Sequence, residues 1–270
     1  MVAAIDSDDD ALLMSLTGQG DNSSKSDLSK LAINYETETD DGKTLKKGEW
    51  RVWHDGVYLY APSIKFRVFW RTFMWTLWDA DEGQPVSNSV QKPTLAGDFP
   101  DTAGGNKCGR LGKDEIDNLS DDDPRLITSR AVACNQVLYG VVSAKMKDAD
   151  GNEVQVDELP VVSYFKKSGF MPMNNFINGL TRQKKIMQKI WINLTTSKMK
   201  KGSITFFVPS PTEDKKVTSL SESDKELVKM FKDTISATNA NVMRQYNEVL
   251  KITVSDEDAD LAKDFDADAA

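Results

Sequence analysis

Histidine and cysteine are nearly absent from this chain: 270 residues hold one His and two Cys. His54, Cys108 and Cys134 fall short of the four ligands that a structural zinc takes, which weighs against a zinc-dependent enzyme. Two cysteines make no disulfide framework and read as reduced thiols of a cytoplasmic protein. No apolar run approaches the roughly 18 residues that span a bilayer, so no membrane partner is expected. Met1 to Asp10 carries acid where a secretory leader needs positive charge, and secretion is not expected either.

Catalytic signatures are equally scarce. GGNKCGRLGK at 104–113 has glycines and bases but lacks the Gly-Lys-Ser/Thr end of a phosphate-binding loop. DADGNE at 148–153 has calcium-like spacing without the glycine and terminal glutamate of an EF-hand, and reads as a hairpin turn. Asp121, Asp122 and Asp123 before Pro124 read as a solvated cap or loop, and His54 beside Asp55 as a turn histidine. A two-metal nuclease needs carboxylates inside a basic groove, and the basic segments contain none. No enzyme and no cofactor is expected.

The most telling absence is acid from the middle of the chain. Residues 161–212 hold nine Lys or Arg and no Asp or Glu, although the formal net charge is −8. The negative charge lies at the ends: residues 1–40 carry net −7 and residues 252–270 net −6, leaving a body of +5. Ordinary surfaces intersperse both signs, whereas a polyanion selects for a basic, aromatic body.

Three stretches follow from this patterning: an acidic flexible segment 1–29, a body 30–254, and a disordered acidic tail 255–270. Within the first, SDDDALLMSL at 7–16 predicts a short helix and 18–27 a flexible linker. The body predicts mainly β structure with a few helices. LAINYE, EWRVWHDGVYLYAP and IKFRVFWRTFMWTLW read as strands with Asp-Gly turns. Residues 79–106 read as a long loop, VLYGVVSAKM and VQVDELPVVSYFKK as a hairpin, and FMPMNNFINGLTRQKKIMQK as a helix opened by Pro172. WINLTTSKMKKGSITFFVP predicts a hairpin turning at Lys200-Lys201-Gly202. Ser223-x-x-Glu226 predicts the cap of a C-terminal helix over about 223–250.

What remains is backbone neutralisation and base stacking. Single-stranded nucleic acid is held by Lys and Arg along its phosphates and by exposed rings under its bases. The candidate cations are Lys65, Arg67, Arg71, Lys166, Lys167, Arg182, Lys184, Lys185, Lys198, Lys200 and Lys201. The candidate rings are Trp53, Tyr58, Tyr60, Phe69, Tyr164 and Phe170. Strict alternation from Ile64 puts Phe69 on one face with Lys65, Arg67 and Arg71, away from Phe66 and Trp70.

The β-rich centre, the insert NKCGRLGKDEI, the block LYGVVSAKM…LPVVSYFKKSGFMPMNNFINGLTRQKKIMQK and the acidic tail around Phe265 together resemble the single-stranded DNA-binding proteins of tailed-phage replication. That resemblance implies an OB-fold-like β-barrel with long insertions and a C-terminal helix. It also implies a protein that coats single-stranded DNA without sequence preference during replication, recombination or repair. The tail residues Asp256, Glu257, Asp258, Asp260, Asp264, Phe265, Asp266 and Asp268 would then dock replication or recombination proteins, or compete with DNA for the groove. The family's tail often ends on an aromatic residue, whereas this chain ends Asp-Ala-Ala. A strand-annealing or recombination mediator, and a phage structural protein without DNA affinity, are the alternatives; a homodimer is left open.

Overall fold

The computed structural model describes residues 28–79 and 83–267, with side chains as far as Lys251. The helix expected over 7–16 and the linker 18–27 lie outside the described residues. In chain order the strands are β1 (Ser29–Lys30), β2 (Ala32–Ile33), β3 (Trp50–His54), β4 (Val57–Ala61) and β5 (Ile64–Asp79). They continue as β6 (Gln84–Asn88), β7 (Val132–Lys147), β8 (Glu153–Lys166), β9 (Ile190–Lys201) and β10 (Ile204–Lys216). The helices are α1 (Lys113–Ile116), α2 (Pro124–Ala131), α3 (Phe170–Arg182) and α4 (Glu222–Ala267).

The architecture is mainly β, as expected. β1 and β2 form one extended stretch through Leu31 that pairs in parallel with β8 and antiparallel with β3. β3 pairs with β4, β4 meets β7 at Tyr60 and Lys147, and β7 pairs with β8. These pairings close into a ring filled in chain order. Period-two alternation buries Val52, Leu59, Phe66, Leu138, Val142 and Val161 inside, and Met173 and Ile177 of α3 pack against them. Each such side chain contributes about 1.5–3 kcal/mol.

β5 departs from strict alternation. Its register with β7 slips between Val68 and Trp70, a β-bulge that turns both Phe69 and Trp70 outward. Parity inverts beyond it, so Arg71 faces the ring interior and Trp78 faces out. Phe69 and Trp70 join a second core on the outer face of the sheet, with Val137, Tyr139, Val162 and Trp191. Helix α4 covers that core through Phe231 and Ile235, and Phe231 packs on Phe69 and Tyr139 at 6.2 and 5.8 Å between centroids.

The cap of α4 sits two residues earlier than Ser223-x-x-Glu226 predicts. Ser221 Oγ accepts from the Asp224 N–H at 3.1 Å while Asp224 Oδ2 accepts from the Ser221 N–H at 2.8 Å, a capping box. The helix does not stop near 250. Its backbone runs to Ala267 through the segment that composition assigns to a disordered tail, since extending a formed helix needs no new nucleus. The expected loop 79–106 is also more ordered than its composition suggests. It contributes β6, fully buries Phe99 and buries Asp101, whose carboxylate accepts from the N–H groups of Ala103, Gly105 and Cys108. The hairpins β7–β8 and β9–β10 form where the sequence predicts them. The helix expected over 170–189 forms only over Phe170–Arg182 and starts two residues before Pro172; the remainder is a turn and a short 3-10 turn at Met187–Lys189.

Candidate nucleic-acid interface

Three lysines and several aromatic rings, among them the exposed rings of Tyr35, Trp78 and Tyr164, line a groove of about 1000 Å³ beside β1, β8, β7 and β5. Alternation along β8 points Val162, Tyr164 and Lys166 outward, and the parallel pairing of Lys30 with Val162 sets Lys30 beside Tyr164. Its Nζ lies 5.7 Å from the Tyr164 ring centroid, and Lys166 Nζ lies 5.2 Å from that of Trp78. Lys167, at φ 50, breaks the strand and turns the chain into α3 at the groove edge. Trp78 is 44% exposed, Tyr164 39% and Tyr35 49%. Phe207 completes the aromatic lining from the β9–β10 arm. Tyr35 Oη donates to the Phe207 carbonyl at 2.8 Å, and their rings meet edge to face.

The facing wall is α4, through Thr238, Asn241 and Gln245. Two hydrogen bonds hold it: the Gln91 N–H donates to Asn239 Oδ1 at 2.7 Å, and Asn239 Nδ2 donates to the Gln91 carbonyl at 2.9 Å. Among the described residues no aspartate or glutamate lines the groove and no carboxylate pairs with Lys30, Lys166 or Lys167. Burial lowers the Lys166 pKa, and the like charges of Lys167 and Lys30 lower it further. An anion would relieve that repulsion.

Compared with family models, curated proteins and solved structures, the chain matches none.

The sequence candidates divide among several environments. Tyr164, Lys166 and Lys167 line the groove. Lys198 and Lys200 stand opposite Phe207 and Thr205, on the arm face that carries the Phe207 ring, and Lys201 on the other face. Trp53 and Tyr58 are exposed but lie on the β3–β4 hairpin, packed edge to face at 4.9 Å with Arg51 over Tyr58. Arg182 and Lys184 are exposed at the end of α3. Asp256 to Asp266 belong to the helical extension, where side chains lie outside the described residues, as does Asp268.

Other candidates are corrected. Arg67 is 3% exposed. It donates to Asp224 Oδ2 and to the Gln188 carbonyl, each at 2.8 Å, and stacks on Phe69. Phe69 is buried in the outer core and Tyr60 is buried on β4, which withdraws both from the surface. Phe170 packs on Phe73. Arg71 points inward and donates to Asn174 and Asn178, fastening α3 to the ring; burial lowers its pKa. Lys65 pairs with Asp214 at 2.8 Å and Lys185 with Glu213 at 2.5 Å, so acid from β10 neutralises cations that looked unopposed in sequence. The cations therefore do not form one continuous trench.

Lys30, Tyr35, Trp78 and Phe207 were missed. Trp78 was legible only by carrying the β5 parity through the bulge, and Lys30 only from a non-local parallel pairing. The motif at 104–113 is no anion cradle, because the Asp101 carboxylate already takes two of its N–H groups, those of Gly105 and Cys108. At the 148–153 turn, Asp148 accepts from the Asp150 N–H and from Asn152, a hairpin arrangement. No group of three His, Cys, Asp or Glu is placed to hold a metal ion among the described residues.

Proposed function

We propose that the chain is a non-catalytic protein that binds single-stranded DNA without sequence preference and coats it during replication, recombination or repair. The observation that carries this reading is a groove lined, among the described residues, by no aspartate or glutamate, with Lys30, Lys166 and Lys167 unpaired by any described carboxylate beside the exposed rings of Trp78, Tyr164 and Tyr35. Phosphates would take the ammonium groups and bases the ring faces. Each stacked base is worth on the order of 1–3 kcal/mol and tolerates any sequence, because every base has a π-face. The ring of five strands is the OB-like part of the reading. The resemblance to tailed-phage single-stranded DNA-binding proteins supports it from the sequence side. The acidic continuation of α4 would then be the docking element for replication partners.

The test is a fluorescence titration of the full chain with labelled oligo-dT and with a matched duplex at several salt concentrations. Tighter binding of the single strand, weakening with salt, is expected. Equal affinity for both, or no binding at low salt, would reject the reading.

A further inference from the structure

We infer that residues 1–27 of the chain dock in the same groove and compete there with the nucleic acid. The inference rests on the proposed use of that groove but has its own observations. The described fold begins at Leu28, which itself lines the groove, and Lys30 follows two residues later. Whatever precedes Leu28 is therefore tethered at the groove rim. Those 27 residues carry six Asp and one Lys, net −5, a charge opposite to that of the three groove lysines, which have no carboxylate partner among the described residues.

The match extends to apolar groups. Leu12, Leu13, Met14 and Leu16 lie next to Asp6, Asp8, Asp9 and Asp10 in sequence. The groove offers Met74, Pro85, Val86 and Val162 beside its lysines. Reach is adequate. Ten residues, the number from 18 to 27, would span about 17 Å as a flexible coil. A tether of that length gives an effective concentration in the millimolar range, enough for a weak contact to be populated.

The C-terminal acids are less well placed for this role. Residues 256–267 continue α4 as one helix, so even Asp256 lies about 16 Å along the axis beyond Gln245, at 1.5 Å per residue. The groove competitor that the acidic tail was expected to supply is thus better supplied from the opposite end of the chain.

Carbodiimide cross-linking of the full chain, followed by peptide mapping, tests the contact directly. Asp6 to Asp10 should couple to Lys30, Lys166 or Lys167, and excess oligo-dT should suppress the coupling. Couplings only elsewhere, or none, would overturn the inference whatever DNA does. In the full chain, D6N/D8N/D9N/D10N should bind oligo-dT about three- to tenfold more tightly at low salt, the advantage fading as salt rises. Unchanged affinity with intact DNA binding would sink the competition and leave the proposed function standing. Groove couplings in a chain that ignores oligo-dT would retain the docking and remove the proposed function.

Discussion

Asp224→Asn provides the sharpest test of how the groove wall is built. The Arg67 and Asp224 side chains are only 4% and 6% exposed, at 2.8 Å from each other. Asparagine preserves the side-chain oxygen that accepts from the Ser221 N–H, so the cap survives and only the charge is lost. The remaining guanidinium is then buried without a counter-ion. Removing one partner of a buried pair costs about 3–5 kcal/mol. Arg67 keeps its bond to the Gln188 carbonyl and its stack on Phe69, so the lower end, about 3 kcal/mol, is expected. That is a large part of the 5–15 kcal/mol by which ordinary domains are stable. Burial pushes the Asp224 carboxyl up, but Arg67 and the Ser221 N–H outweigh it and hold the pKa below the usual carboxylate value. The pair's stabilisation is therefore full above that usual value and fades as pH falls through the depressed one. Urea unfolding followed by circular dichroism, at neutral and acid pH, should give a deficit for the variant that shrinks in acid. Adding Arg67→Met should restore much of the loss, since an apolar replacement leaves no orphan charge. A deficit below about 1 kcal/mol, or one that pH does not alter, would refute the burial argument.

Other expectations bear on the site and its supports. Trp78→Ala and Tyr164→Ala should each weaken oligo-dT binding by about 5- to 160-fold, as loss of one stacked base implies, with circular dichroism unchanged. Trp53→Ala and Phe170→Ala should leave affinity near the parent value, because neither ring reaches the groove. Oligo-dT affinity should fall as pH rises through the lowered Lys166 pKa, at less alkaline pH than an ordinary lysine would give; a fall that begins only where an ordinary lysine titrates would contradict it. Gly48 has φ 87, and an added Cβ would overlap the Phe207 ring, so Gly48→Ala should destabilise the fold by about 1–3 kcal/mol in the same unfolding assay.

Much of the fold was legible because local signals govern it. The Asp150-Gly151 and Lys201-Gly202 turns sit at the hairpins, and the apolar face of α4 marks the residues that dock. What escaped was non-local. Nothing local to Phe69 announces a bulge, and that one extra residue decides whether Arg71 or Trp78 reaches the outer face. Arg67 and Asp224 are 157 positions apart, so no pattern of spacing reveals that a basic strand residue is a buried ion pair. The acid-free run 161–212 did point to the β8 end where Tyr164, Lys166 and Lys167 gather. It overstated the surface charge, because Glu213 and Asp214 lie just beyond it and fold back on Lys185 and Lys65.

The claim that the groove lysines hold phosphates is tested most directly by the salt dependence of oligo-dT binding. Each phosphate neutralised on a single strand contributes about 0.7 to the slope of log affinity against log salt. K30Q/K166Q/K167Q should therefore flatten the slope by about 2, while K184Q, on the end of α3, should leave it near the parent value. A triple variant with an unchanged slope would place the bound strand elsewhere and contradict the account.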